Sequence, residues 1–170
     1  MNLKNFIKDV PNFPQEGILF RDITPLLRDK EAFKYVCEKL SQFAMSVGAT
    51  VIVGPESRGF IFGCPVATNL NLGFVPIRKP GKLPREQVTE EYDLEYGSNT
   101  LCMHADAIKP GDKVVIIDDL LATGGTTLAG IHLVEKLGGE VVGVACVIEL
   151  LALEGRKQLE EYTVYTEIQY

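Results

Sequence analysis

The stretch KVVIIDDLLATGGTT, Lys113 to Thr127, restricts the possible folds more than any other part of the chain. Within Lys113–Asp118, Val114–Ile117 is apolar and β-branched without a break, the pattern of a strand covered on both faces. A second carboxylate, Asp119, follows, and Ala122-Thr123-Gly124-Gly125-Thr126-Thr127 then leads into helical spacing from about Thr126 to Leu137. Strand, glycine-bearing turn and helix in that order are part of a βαβ unit, from which parallel sheets are assembled.

The rest of the chain repeats that alternation. Phe33, Val36, Leu40, Phe43, Ala44 and Val47 recur at helical spacing over Glu31–Val47, and Gly48 stops that helix. Thr50–Gly54 and Gly73–Arg78 read as strands, with a helix from Ser57 or Arg58 to about Asn71 between them. Glu140–Leu150 reads as a buried strand, Ala152–Glu160 as a short helix and Thr163–Thr166 as a last strand. Residues 1–30, punctuated by Pro11, Pro14, Gly17 and Pro25, read as irregular. Lys79–Asn99 is too long and polar for an ordinary connection, so it reads as a functional loop or a loop carrying a small hairpin, with Thr100–Ala105 as one arm. The expected fold is α/β: one domain over 1–170, with a mostly parallel sheet flanked by helices.

Ligands of open parallel sheets gather at the carboxyl ends of the strands, which is where Asp118, Asp119 and the loop Ala122–Thr127 fall. Two glycines let consecutive N–H groups turn inward, the helix start adds partial positive charge, and three threonines add hydroxyl donors. That set suits a phosphate dianion. It contains neither GK[ST] nor GxGxxG, so it is neither a Walker A loop nor a dinucleotide fingerprint. The carboxylates repel phosphate; their task is to accept from sugar hydroxyls or to hold Mg²⁺ through water. An Asp-capped helix after a glycine-rich turn would use some of the same residues, but every element here fits one ligand.

Composition narrows the partners. A net charge of −6 argues against a general nucleic-acid binder, and no apolar run approaches the length that spans a bilayer. The first ten residues show no signal-peptide pattern, so a cytoplasmic location is expected. Cys37, Cys64, Cys102 and Cys146 have no CxxC spacing and sit in apolar segments, as small buried thiols do. Within this acidic chain, Arg78, Lys79, Lys82 and Arg85 form a basic island.

Four apolar residues, two acids and a loop ending in TGGTT resemble the motif by which type I phosphoribosyltransferases bind phosphoribosyl pyrophosphate (PRPP). Phe13–Leu27 (FPQEGILFRDITPLL), Gly54–Gly63 (GPESRGFIFG), Ile77–Pro84 (IRKPGKLP) and Tyr92–Gly97 (YDLEYG) are similar, in the same order, to members of that family acting on adenine. The resemblance implies transfer of phosphoribose from PRPP to adenine, giving AMP and pyrophosphate, with a small base-binding hood in 1–30 and a flexible catalytic loop in 79–99. It implies phosphate binding by Ala122, Thr123, Gly124, Gly125, Thr126 and Thr127, and contacts from Asp118 and Asp119 to ribose or Mg-PRPP. By the same resemblance Arg58, Arg78 and Lys82 contact pyrophosphate, while Leu19, Phe20 and Arg21 meet adenine. Glu95 matches the acid that approaches purine N7, so catalysis falls to Glu95, Lys82 and Arg58. Mg²⁺ is expected to arrive with PRPP rather than in a protein cage, and family members are commonly homodimers. At Glu56-Ser57 the family often has a cis peptide.

Two alternatives stay open at this level. One is a transferase for hypoxanthine, xanthine or orotate, against which the hood-like segment before Arg21 stands. The other is a purine-responsive regulator that binds PRPP without turnover, which would usually carry a DNA-binding module or a basic face.

Overall fold

Asn2 caps a 3-10 turn at Leu3–Phe6, after which β1 (Lys8–Pro11) and β2 (Leu19–Asp22) pair antiparallel. The first thirty residues are therefore ordered, contrary to the irregular segment expected from their prolines. The strands are four residues each and show no clean alternation, so periodicity gives no warning of them. Pro25 lies in the first turn of α1 (Thr24–Arg28), where its missing N–H removes no helical bond. Here proline starts a helix instead of breaking one. The computed structural model describes residues 1–94 and 97–170.

The Asp29 carboxylate accepts from the N–H groups of Glu31 and Ala32 at 3.1 and 2.9 Å, starting α2 (Lys30–Ser46). Ala32, Val36, Leu40 and Ala44 bury one stripe of this helix, spaced four residues apart. Next come β3 (Val51–Pro55), α3 (Arg58–Asn69) and β4 (Gly73–Ile77). The Lys79–Asn99 segment resolves into its hairpin alternative: β5 (Gln87–Leu94) pairs antiparallel with β6 (Gly97–His104), which starts three residues before the arm expected at Thr100. Arg78 and Cys102 exchange backbone hydrogen bonds of 2.9 and 2.7 Å, hanging this hairpin from the end of β4.

β7 (Lys113–Leu121), α4 (Gly125–Lys136), β8 (Glu140–Glu149) and β9 (Val164–Gln169) complete the frame. The central sheet has the order β4-β3-β7-β8-β9 and every pairing in it is parallel. β7 runs three residues past Asp118 because Leu120 and Leu121 still pair with Ile148 and Glu149 of β8. The helix expected at Ala152–Glu160 is instead two 3-10 pieces, Leu151–Leu153 and Gly155–Leu159. They meet at Glu154, whose φ of 54° interrupts any continuous helix. One apolar cluster joins α2 and α3 to one face of the sheet; a second joins α4 and the β5–β6 hairpin to the other. Cys37, Cys102 and Cys146 are buried, as expected, but Cys64 is exposed. Among the described residues no helix is long and apolar enough to cross a membrane.

Candidate active site

The carboxyl ends of β3 and β7 open into a cleft of about 410 Å³. Its floor carries Asp118, Asp119 and Leu120, one wall is Pro55-Glu56-Ser57-Arg58, and the other is Ala122–Thr127. Six residues expected to bind phosphate and the two expected to bind ribose thus line one space. Gly124 has φ +90°, which L side chains rarely adopt, and a Cβ there would lie 2.7 Å from the Gly155 carbonyl oxygen. Only glycine fits. Gly124 is the N-cap of α4, and no side chain among the described residues caps this end. The first N–H groups of a helix lack intrahelical acceptors, so the loop presents them together with the Thr126 hydroxyl as an anion site.

Asp119 is only 6% exposed, and its Oδ2 lies 2.7 Å from Arg58 Nε. The Asp118 carboxylate accepts from the Asp119 N–H at 2.8 Å. Burial, then the neighbouring Asp119 charge, hold the Asp118 carboxyl well above its ordinary pKa, against the pull of that N–H and of Arg58. Glu56 is held low, chiefly by the Lys79 N–H at 2.7 Å and with help from Arg78, whose Nε is 3.1 Å from the same oxygen. Arg58 and Arg78 are thus each tethered to a carboxylate of the site. Glu56-Ser57 is a cis peptide, as expected.

A second cavity, of about 130 Å³, adjoins the cleft and shares Arg58, Asp119 and Leu120 with it. Leu19, Phe20 and Arg21 form one side, Ile148 and Leu150 the other. Phe20 meets Phe13 edge to face at 5.1 Å, and the Arg58 guanidinium lies 5.6 Å from the Phe20 ring centre. Arg21 pairs with Asp9 and stacks 3.8 Å above the Tyr170 ring. This is a flat, mainly apolar slot beside a charged cleft. Its size and rim suit a heterocycle whose attached sugar phosphate extends to the loop.

Not every expected residue converges. Arg78 and Lys82 line neither cavity: Arg78 is turned to Glu56, and Lys82 is exposed. Arg85 is 2.7 Å from Asp106 and points its charge there. Glu95 lies outside the described residues. Sequence reasoning missed Tyr92, whose hydroxyl is 3.1 Å from Thr126 Oγ1, and Gln158, which donates to the Thr123 carbonyl at 2.7 Å. It also left Tyr170 unassigned. Tyr92 opens the YDLEYG stretch, but nothing in that stretch says that its hydroxyl turns to Thr126, and a glutamine in a polar segment carries no mark at all.

The parallel sheet and the uncapped glycine loop are the frame of a phosphoribosyl transferase domain, and the family model of that description matches residues 26–169. An adenine phosphoribosyltransferase of Caldicellulosiruptor bescii is 60% identical over all 170 residues and 97% of its own length. The chain belongs to the adenine phosphoribosyltransferase family. The crystal structure of the enzyme from Thermoanaerobacter pseudethanolicus superposes with a TM-score of 0.96 at 49% identity, covering 99% of this chain and 98% of that one. The Saccharomyces cerevisiae enzyme, solved with adenine and an imino-altritol bisphosphate, superposes with a TM-score of 0.91 at 41% identity, covering 97% and 96%.

Proposed function

We propose that this chain transfers the phosphoribosyl group of PRPP to adenine, releasing AMP and pyrophosphate, and that one domain over 1–170 does so. The observation that carries the reading is the shared wall of the two cavities: Arg58, Asp119 and Leu120 border both the base slot and the phosphate cleft. A ligand with a base at one end and a phosphate at the other fits that joint space. Ala122–Thr127 hold the 5′-phosphate, and Asp118 and Asp119 accept from ribose hydroxyls. Arg58 and Arg78, with Lys82 on closure of the 79–99 segment, take the pyrophosphate. Leu19, Phe20 and Arg21 cover and read the base from the hood side, with Ile148 and Leu150 opposite.

Adenine N9 bonds to ribose C1 as the C1–oxygen bond to pyrophosphate breaks, through an oxocarbenium-like transition state. The bonding pair of that oxygen leaves with pyrophosphate, so negative charge grows where the basic groups converge. With adenine bound as its N7–H tautomer, the N9 lone pair forms the bond to C1, and Glu95, assigned by family resemblance, takes the N7 proton and returns it in the reverse direction. Most of the catalysis is positioning and charge stabilisation rather than covalent chemistry.

Mg²⁺ fits this site as a companion of PRPP. The Asp118 and Asp119 carboxyl groups on the cleft floor would hold the ion, through water, beside the pyrophosphate. When bound, it neutralises charge on the pyrophosphate. Family resemblance also supports a homodimer and a cytoplasmic location; sedimentation at micromolar concentration tests the first and fractionation the second.

Product analysis with PRPP, Mg²⁺ and each purine in turn tests the reaction. AMP should form far faster than the products from hypoxanthine, guanine or xanthine, because a site built for an exocyclic amine rejects a carbonyl there. Hypoxanthine turnover comparable with adenine turnover removes the adenine assignment. PRPP binding without turnover of any base favours the regulator.

A further inference from the structure

The Tyr92 and Thr126 hydroxyls lie 3.1 Å apart, although they belong to elements that meet only through folding. Tyr92 is on β5, in the hairpin, and Thr126 is the second residue of α4. The Tyr92 ring also packs on the phosphate loop, since a Cβ built on Gly125 would lie 3.5 Å from its Cδ2. The same strand is fixed to the same helix by Glu90, whose oxygens lie 2.6 Å from Lys136 Nζ and 3.0 Å from His132 Nδ1. The Tyr92 hydroxyl is therefore delivered to Thr126 by a docked strand and is not a freely swinging side chain.

A threonine hydroxyl has one proton and two acceptor lone pairs. If Thr126 donates to Tyr92, that proton is no longer available to a phosphate. If Tyr92 donates to Thr126, the proton stays free for the ligand, and each hydrogen bond in the chain polarises the next. Phenols donate more readily than aliphatic alcohols, and an incoming phosphate dianion offers only acceptors, so the second arrangement wins once the ligand is bound. We propose that Tyr92 is a positioning residue for the 5′-phosphate: its hydroxyl donates to Thr126 and commits the only Thr126 hydroxyl proton to the phosphate. The relay rests on the reading of Ala122–Thr127 as the phosphate loop. It also makes the hairpin part of phosphate recognition, so strand β5 feels whether the loop is occupied.

Calorimetric titration of AMP and of adenosine, which lacks the phosphate, into wild type, Tyr92→Phe, Thr126→Ala and the double variant tests the relay. Tyr92→Phe keeps the ring and removes one oxygen. It should weaken AMP roughly 2- to 10-fold, the loss expected for one hydrogen bond, while leaving adenosine affinity unchanged and lowering the melting temperature by no more than about 6 °C. In the Thr126→Ala background the same substitution should have no further effect on AMP, because its target is gone. In turnover, KM for PRPP should rise with kcat retained. Equal losses in both backgrounds, or a parallel loss of adenosine affinity, overturn the relay. So does unchanged AMP affinity in Tyr92→Phe beside a weakened Thr126→Ala, an outcome that leaves the phosphate loop standing. An unchanged AMP affinity in Thr126→Ala removes the phosphate-loop reading itself, and the relay with it.

Discussion

Asp118 lies between a carboxylate neighbour and a buried strand end, and its carboxyl accepts a hydrogen bond from the Asp119 N–H. Its raised pKa means that the folded protein holds this proton more tightly than the unfolded chain does. The corresponding stability is fully present below the unfolded carboxyl pKa of about 4 and is lost as pH rises through the folded value. Asp118→Asn keeps the shape and cannot ionise. The variant should therefore melt higher than wild type by a margin that grows from pH 4 to pH 8, about 2–4 °C for each kcal/mol relieved in a domain of this size. AMP and PRPP affinity should fall in the same variant. A margin that shrinks with pH contradicts the burial account. Lys82 and Glu95 make the opposite case, since both are assigned to the reaction rather than to the fold. Single-turnover rates for Lys82→Ala and Glu95→Leu should drop, by about 10²–10⁴-fold for the loss of a general base at Glu95, with melting unchanged. A wild-type single-turnover rate in either variant takes that residue out of the mechanism.

The loop between β7 and α4 owes its shape to an element that sequence reading assigned wrongly. Gly155, opening the second 3-10 piece, lies so close behind the loop that a Cβ there would be 2.4 Å from the Ala122 carbonyl oxygen and 3.0 Å from Leu121 Cδ1. The next residue anchors it: Arg156 places Nε 2.7 Å and Nη2 3.0 Å from the two Glu149 oxygens at the end of β8. Burial pushes the Glu149 carboxyl up, but Arg156, Thr166 and Gln169 together hold it below the ordinary range. Gly155→Ala should cost about 1–3 kcal/mol through overpacking and should weaken AMP binding by displacing the loop from behind. Retained AMP affinity in a destabilised protein would show that the buttress serves the fold alone. β3, α3, β7, α4 and β8 were legible because apolar periodicity and glycine stops name such elements directly. The hood hairpin and the 3-10 pieces were not, because short strands and broken turns are decided by partners far along the chain. The glycine-bearing turn between β7 and α4 could be read from residue types alone, whereas the contacts of Tyr92, Gln158 and Tyr170 arise from tertiary packing that leaves no local pattern.

At the scale of the whole molecule, a parallel sheet brings the ends of β3 and β7 together, and the hood is carried to that edge by the chain before α1. An acidic protein of net charge −6 thereby keeps Arg58 and Lys79 on the lining of one cleft and Arg78 beside it, the two arginines paired with Asp119 and Glu56. Those pairs hold the cations in place before an anion arrives. The central claim is that one ligand spans the base slot and the loop, and a crystal structure of the AMP complex tests it most directly. The phosphate should sit at the start of α4 within about 3 Å of Thr126 Oγ1 and the loop N–H groups, a normal charge-assisted hydrogen-bond distance. The adenine should lie between Phe20 and the Leu120–Ile148 side of the slot. A phosphate bound elsewhere, or a base outside the hood with the phosphate on the loop, contradicts the account.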